Sequence, residues 1–428
     1  MSCTYPLSIS SNTTSTKSKP ANRISPGLYP RFLTACAAPA SQNPTSKYAV
    51  RVLTVLIILF FNSLNANPSN CETEVFKIDQ KFLSSNFSRC EILDENAIRL
   101  YLSPEDKFVN NPSPWFAFRK SAHQEEIYVE LFYEKFEHRY HPKVSYDLIN
   151  WKKIDRDMIK IQNNGKKVTL TFKANNKESF ISAQEILSSV WYENWYDNLS
   201  YFKNVTISEL GRTSEGRPIS KILIGNNLKN PYIFLLGRQH PPEVTGAFAL
   251  KSFIEGILNH NDLTKEFLSN FNIISYPLVN PDGVDLGHWR HNLSEKDLNR
   301  DWGFFSQIET SIIYEDIKKI LKEHEIVLMI DFHSTFENIF YIQDQLETAG
   351  YNFAQAWLLK NSSNKNNYTF TIKPTKSTNN GVAKNYFYSS YDIPAITFEV
   401  GDNTDRRAII NSSENFANSM MRLLLENN

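Results

Sequence analysis

Two patterns of apolar and polar positions divide the chain. From residue 71 to about 190 the apolar residues alternate with polar ones or cluster as β-branched and aromatic residues. Ile127-Tyr-Val-Glu-Leu-Phe-Tyr133 and Lys167-Val-Thr-Leu-Thr-Phe172 are the clearest cases and predict strands. Asn163-Asn-Gly165 supplies a turn ahead of the second run. Short strands with polar connections predict a small all-β sandwich. Residues Ser182 to Tyr196 have helical spacing and many aromatics, and read as a bridge to the next domain.

Beyond residue 200 strands and helices alternate. Tyr232-Ile-Phe-Leu-Leu236, Phe271 to Tyr276, Ile326 to Ile330 and Pro394 to Val400 are short apolar runs that predict buried strands. Helical periodicity covers Ala247 to Leu258, with Thr245 as its expected cap, then Ile312 to Leu321, and Arg406 to about Leu425. This order predicts an α/β domain with a mixed, largely parallel sheet sandwiched by helices.

The first 67 residues fit neither pattern. They hold no Asp or Glu but six basic residues, and residues 1–46 are rich in Ser, Thr, Pro, Asn and Ala. Lys47 to Arg51 precede the apolar run Val52 to Phe61, which is too short for a bilayer span but fits a signal-peptide core, with cleavage expected after Ala66. A buried helix or an anchor is the plainer alternative. Because about 46 residues precede the basic segment, translation is expected to start near Val50. The domains expected are a leader over 1–67, a β-sandwich over 68–195 and a catalytic domain over 196–428.

Charge then narrows the function. The whole chain is formally neutral, and without the leader it has 40 basic against 46 acidic residues. That excludes a nucleic-acid binder working by phosphate neutralisation. Export implies a periplasmic or secreted protein with no membrane span after signal cleavage. Cys71 and Cys90 are the cysteines left outside the leader, and in an exported protein they read as a disulfide, the alternative being two buried thiols.

Candidate chemistry sits where apolar strands end, the place at which open α/β sheets hold ligands. His240-Pro-Pro-Glu243 comes after the strand at Tyr232, and a His and a carboxylate at that spacing can hold one zinc ion. Alone it is a common chance pair. His333, in Asp331-Phe-His-Ser334, ends another strand; alone it reads more readily as a core histidine or a helix cap. Asn280-Pro-Asp-Gly283 forms a tight turn leading to Arg290, then to Asp297-Leu-Asn-Arg-Asp-Trp302, and Glu399 ends the last strand.

Taken in order, these segments resemble the zinc metallocarboxypeptidase family typified by carboxypeptidase A, over roughly residues 200–425. Tyr128 to Trp151, with His138-Arg-Tyr-His-Pro-Lys-Val-Ser-Tyr146, is similar to the β domain of cytosolic carboxypeptidases. The resemblance implies one zinc ion held by His240, Glu243 and His333, which activates a water. It implies Glu399 as general acid/base and Arg290 as the group that polarises the scissile carbonyl. Asn299 and Arg300 are implied to bind the terminal carboxylate of a peptide substrate, and Asp297 to hold the first ligand histidine. Singly, Arg300 fits a salt bridge to Asp301 or Asp297 as well, and Arg290 a surface position.

The pattern also departs from the family. Digestive members carry an arginine between the ligand His and Glu, where this chain has Pro241-Pro242. They carry a tyrosine upstream of the general base, where Thr375 to Ala383 has none; Tyr386, Tyr388 and Tyr391 are the candidate replacements. Lys384 lies in the segment that lines family specificity pockets, and would suit an acidic side chain or second carboxylate. A zinc amidohydrolase acting on acyl-amino acids or cell-wall peptides is the alternative activity. A non-catalytic binding protein is a third reading, against which the complete ligand set and Glu399 argue.

Overall fold

The structure, a computed structural model, describes residues 71–259, 262–361, 368–378 and 380–427. The expected signal peptide and cleavage site lie outside the described residues. What is described belongs to one compact unit.

The N-terminal region forms two five-stranded sheets. In one, Ile78–Asp79, Ala117–Lys120, Ser179–Ser182, Lys143–Ser145 and Trp151–Lys153 are neighbours in that order, all antiparallel. The other runs Arg89–Asp94, Ala97–Leu102, Ile127–Tyr133, Lys167–Phe172, Ile159–Gln162. The alternation read from the sequence places Ile98, Leu100 and Leu102, then Val168, Leu170 and Phe172, in the core with Phe116, Phe118 and Ile181. One pairing, Ala97–Leu102 with Ile127–Tyr133, is parallel. A disulfide joins Cys71 to Cys90, with Cα atoms 6.0 Å apart. The bridging helix α1 (Ser189–Leu199) begins later than the aromatic spacing suggests, because Ser179–Ser182 is claimed by sheet pairing.

The C-terminal sheet has eight strands: β1 (Val205–Arg212), β2 (Pro218–Ile224), β3 (Tyr232–Gly237), β4 (Asn272–Tyr276), β5 (Ile326–Thr335), β6 (Ile339–Gln343), β7 (Thr371–Thr375) and β8 (Ala395–Gly401). Their order is β1-β2-β4-β3-β5-β8-β6-β7. The central strands β4, β3, β5 and β8 are parallel, and β1, β2 and β6 bring antiparallel pairings. Continuous apolar runs suit strands buried on both faces. Thus Ile233 and Leu235 of β3 enter one core with α2 (Val244–Ile257) and α8 (Arg406–Glu426). Phe234 and Leu236 enter a second core with α5 (Ile308–Leu321) and α7 (Ala383–Tyr391). The other helices are α3 (Asp262–Asn270), α4 (Pro281–Leu286) and α6 (Ala349–Asn361). No helix among the described residues is long and apolar enough to cross a membrane.

Two local expectations are corrected. Thr245 does not cap α2: Glu243 holds the N-cap position, and the Thr245 hydroxyl instead donates within the core to Ser334 or the Val400 carbonyl. Asn280-Pro-Asp-Gly283 is not merely a turn but the start of α4, with the Asn280 Oδ1 accepting from the Gly283 amide at 3.0 Å.

Candidate active site

Three strand ends meet at one cavity. After β3 the chain turns at Arg238, whose backbone takes φ +53° and whose side chain donates to the Pro241 carbonyl. Pro241 and Pro242 stiffen the loop, which delivers His240 and then Glu243 at the head of α2. His333 comes from β5 and Glu399 from β8, and the two are register partners in the parallel pairing. Helix α2 approaches β5 so closely that a Cβ on Gly246 would strike the His333 backbone.

His240, Glu243 and His333 are buried and face one another, with candidate ligand atoms all within 4.8 Å. Glu243 Oε1 lies 2.8 Å from His240 Nδ1, and its Oε2 lies 2.7 Å from His333 Nδ1. Each imidazole has its far nitrogen held by another carboxylate. His240 Nε2 donates to Asp297 at 2.9 Å and His333 Nε2 to Asp331 at 2.7 Å. A proton fixed on Nε2 leaves the Nδ1 lone pairs for an ion. Two such nitrogens and one carboxylate are the donor set of a catalytic zinc site, so these residues fit the metal.

The electrostatics agree. Burial works against a charged His333, but the Asp331 and Glu243 carboxylates outweigh it and hold its pKa well above the ordinary imidazole value. His240 is raised too, against burial and Arg290, by Glu243 and Asp297. Burial alone would raise Glu243 and Asp297, yet the histidines hold both well below the usual carboxylate range. This cluster draws positive charge to its centre.

Glu399 completes the floor. Its Oε2 is enclosed and has no hydrogen-bond partner among the described residues. Burial pushes its carboxyl up to about 7, with Glu243 adding to the rise and His333 opposing it.

Arg290 is pinned to the same cavity. Its Nε and Nη2 both reach Asp297 Oδ2 at 2.8 Å, and its Nη1 donates to the Asn111 carbonyl at 3.2 Å. Asn299 accepts the Ala383 amide at 2.8 Å, capping the start of α7, and Arg300 Nη1 donates to the Asn299 carbonyl at 2.6 Å. Among the described residues Arg300 makes no salt bridge to Asp301 or Asp297; Asp301 is engaged by Ser306, Gln307 and Thr310. The cavity, of about 390 Å³, brings together His240, Glu243, Arg290, Asn299, Arg300, His333 and Glu399.

Other expectations are corrected or extended. Tyr386, Tyr388 and Tyr391 do not line the cavity; Tyr386 and Tyr391 bond to each other at 3.0 Å, and Tyr386 packs on Trp302 and Phe305. The tyrosine on the cavity wall is Tyr341 of β6. Lys384 lies in the cavity, its Nζ 3.4 Å from the Ile342 carbonyl and from Ser377 Oγ. Asp331 went unpredicted although its position two residues before His333 puts both on one face of β5. Asn111, Ser113 and Arg139, all from the N-terminal region, also line the cavity; Arg139 falls in the stretch that resembles the β domain of cytosolic carboxypeptidases, but nothing in that stretch assigned it to the site.

The fold and part of the sequence are similar to those of known proteins. The model for "Zinc carboxypeptidase" matches residues 192–418. Cytosolic carboxypeptidase 2 of Xenopus tropicalis is 32% identical over 117 residues, covering 26% of this chain and 12% of that protein. Cytosolic carboxypeptidase 3 of Bos taurus is 25% identical over 317 residues, covering 63% and 30%. The chain thus spans well under half the length of these relatives. Among solved structures, a metallo-carboxypeptidase from Burkholderia cenocepacia superposes with TM-score 0.70 at 16% identity, over 82% of this chain and all (100%) of that one. A metallo-carboxypeptidase from Pseudomonas aeruginosa gives 0.66 at 19% identity over 82% and 99%. At such identities these two speak for the fold. With more than half of the chain matched by its model, the protein belongs to the zinc carboxypeptidase family.

Proposed function

We propose that the protein is a zinc-dependent metallocarboxypeptidase that hydrolyses the C-terminal peptide bond of peptides. The observation that carries this reading is the convergence on one arginine-rich cavity of His240, Glu243, His333 and Glu399, whose Oε2 has no hydrogen-bond partner among the described residues. When bound, the zinc ion supplies Lewis acidity and lowers the pKa of water at the site toward ~7. Glu399 takes a proton from that water and hands it to the departing amine. Its raised pKa suits both roles, since it can be emptied and refilled near neutral pH.

Arg290 stabilises negative charge developing on the carbonyl oxygen, and its two bonds to Asp297 fix the guanidinium in place beforehand. Asn299 and Arg300 bind the terminal carboxylate of the substrate. A planar fork suits a carboxylate better than a neutral amide, which selects free C-termini over internal bonds. In this reading residues 196–428 carry the chemistry and residues 68–195 cover part of the cavity. The Cys71–Cys90 disulfide supports export to an oxidising compartment, periplasmic or extracellular.

The test is a set of defined peptides incubated with the purified, zinc-loaded protein and read by mass spectrometry. Stepwise loss of C-terminal residues is expected. Intact peptides together with hydrolysis of N-acyl amino acids would replace this reading by the amidohydrolase one.

A further inference from the structure

We propose that Arg139, contributed by the N-terminal β region, binds the peptide upstream of the scissile bond, so that the β region supplies part of the substrate site. This rests on the carboxypeptidase reading and adds a residue and a subsite to it.

The cavity is lined by two separate parts of the chain. One wall is built around α7. Asn299 is fastened to the Ala383 amide, the Trp302 amide donates to the Gly381 carbonyl, and Lys384 projects beside them. Gly381 has φ +85°, and a Cβ there would run into the Arg300 backbone, so this wall is closely fitted to the residues that take the terminal carboxylate. The C-terminal residue of a substrate therefore occupies this side.

The rest of the lining includes Asn111, Ser113, Arg139 and Phe336. Arg139 Nη1 donates to Ser113 Oγ at 2.6 Å, Arg290 Nη1 donates to the Asn111 carbonyl, and the Phe336 ring centroid lies 4.4 Å from the Arg139 guanidinium carbon. A peptide anchored at Arg300 with its scissile carbonyl at Arg290 then continues past Asn111 toward Arg139, since the N-terminal region holds Arg290 through the Asn111 carbonyl.

Arg139 is equipped to meet it. Its side chain is only 9% exposed, and its Nε donates to Asp402 Oδ2 at 2.7 Å. That ion pair fastens the β region to the end of β8 and explains Nε; Ser113 explains Nη1. Neither explains Nη2, which is buried without a hydrogen-bond partner among the described residues. A buried guanidinium N–H left unpaired is costly in a purely structural residue. It is what a site for a peptide carbonyl requires. The loop between His240 and Glu243 offers no such donor, since Pro241 and Pro242 fill the interval. Phe336 is 71% exposed and lies over the guanidinium at the rim, giving the upstream side chains an apolar surface.

The experiment uses N-acetylated peptides with one common C-terminal residue and one, two or three residues upstream of the scissile bond. Values of kcat and KM are measured for the zinc-loaded wild type, R139M, R139K and F336A. The wild type should gain in kcat/KM as upstream residues are added. R139M should lose about tenfold or more on the longer peptides, through KM, and little on the shortest. A loss of equal size at every length, as a merely structural role predicts, or no loss at all, overturns the proposal while leaving the carboxypeptidase reading intact. A wild type that trims no peptide removes both. If R139M fails to fold, R139K keeps the charge facing Asp402 but lacks the second guanidinium nitrogen, and F336A removes an exposed ring. Length-selective losses in these two then support the subsite, and length-independent behaviour rejects it.

Discussion

Glu399 stands opposite His333 across the parallel pairing of β5 and β8, so one register fixes the distance between the proposed base and a metal ligand. Side chains of register partners lie on the same face of a sheet. A slip of one residue would turn Glu399 into the core and bring a neighbour such as Phe398 to the cavity. The E399Q variant keeps the shape and removes the base. It should retain one zinc ion per chain by elemental analysis and lose roughly a hundredfold or more in kcat. Full activity in E399Q would reject the assignment.

Metal binding should release protons. The carboxylates around His240 and His333 raise both above the ordinary imidazole value, so each takes up a proton more readily before the ion arrives. Ligation through Nδ1 displaces that proton, so zinc affinity rises with pH and falls as pH drops. Calorimetry in buffers of different ionisation enthalpy should detect net proton release on zinc binding, larger at lower pH. Asp331→Asn should weaken zinc binding by about 10–100-fold, because the His333 tautomer is no longer fixed. An unchanged zinc dissociation constant would count against this.

Lys384 sets a prediction about substrate choice. Its ammonium is buried in the cavity, and burial pulls its pKa down to about 8. The charged form is held below that value and lost as pH rises through it. A peptide ending in Glu should therefore be preferred over the same peptide ending in Gln at pH ~6–7, and the preference should fade as pH rises through about 8. K384M should show no such preference at any pH. Equal kcat/KM for the two peptides in the wild type would refute it.

How much of this was legible in the sequence depends on distance along the chain. His240, His333 and Glu399 were readable because each comes at the end of a continuous apolar run, and strands of that kind end at a ligand crevice. Asp331 was readable in principle from its period-two spacing to His333. Arg139 was not, because its neighbours in space, Ser113 and Asp402, come together only when the β region docks on β8. The edge strand β7 escaped notice because its Thr371-Ile-Lys-Pro-Thr375 sequence is polar and contains a proline, which edges tolerate. Helix α7 escaped because Asn385, Tyr386, Phe387, Tyr388, Ser389 and Ser390 are weak helix formers. Its placement comes from packing on Trp302 and from the Asn299 cap.

The disulfide carries a stability prediction. It closes a loop with a sequence separation of 19, which by loop entropy contributes about 3 kcal/mol. The Cys71→Ser/Cys90→Ser double variant should unfold at lower temperature and lower denaturant, and reductant should shift the wild type in the same direction. A double variant that melts at the wild-type temperature would show that the bond contributes nothing.

Glu105 offers the sharpest separation of chemistry from binding. Its carboxylate accepts the backbone amides of Trp289, Arg290 and His291 at 2.7, 2.9 and 2.5 Å. With Asp106 on His291 and the Asn111 carbonyl on Arg290, the N-terminal region grips the segment that presents the proposed oxyanion arginine. Glu105 touches neither the metal ligands nor the residues proposed for the terminal carboxylate. Glu105→Gln replaces one acceptor oxygen by a donor facing amide donors, so the segment must shift. Arg290 acts on charge that appears only in the transition state, so the shift should lower kcat by about tenfold or more and leave KM and zinc content nearly unchanged. A rise in KM at constant kcat would mean instead that the segment holds ground-state substrate, and Arg290 would then lose its proposed role.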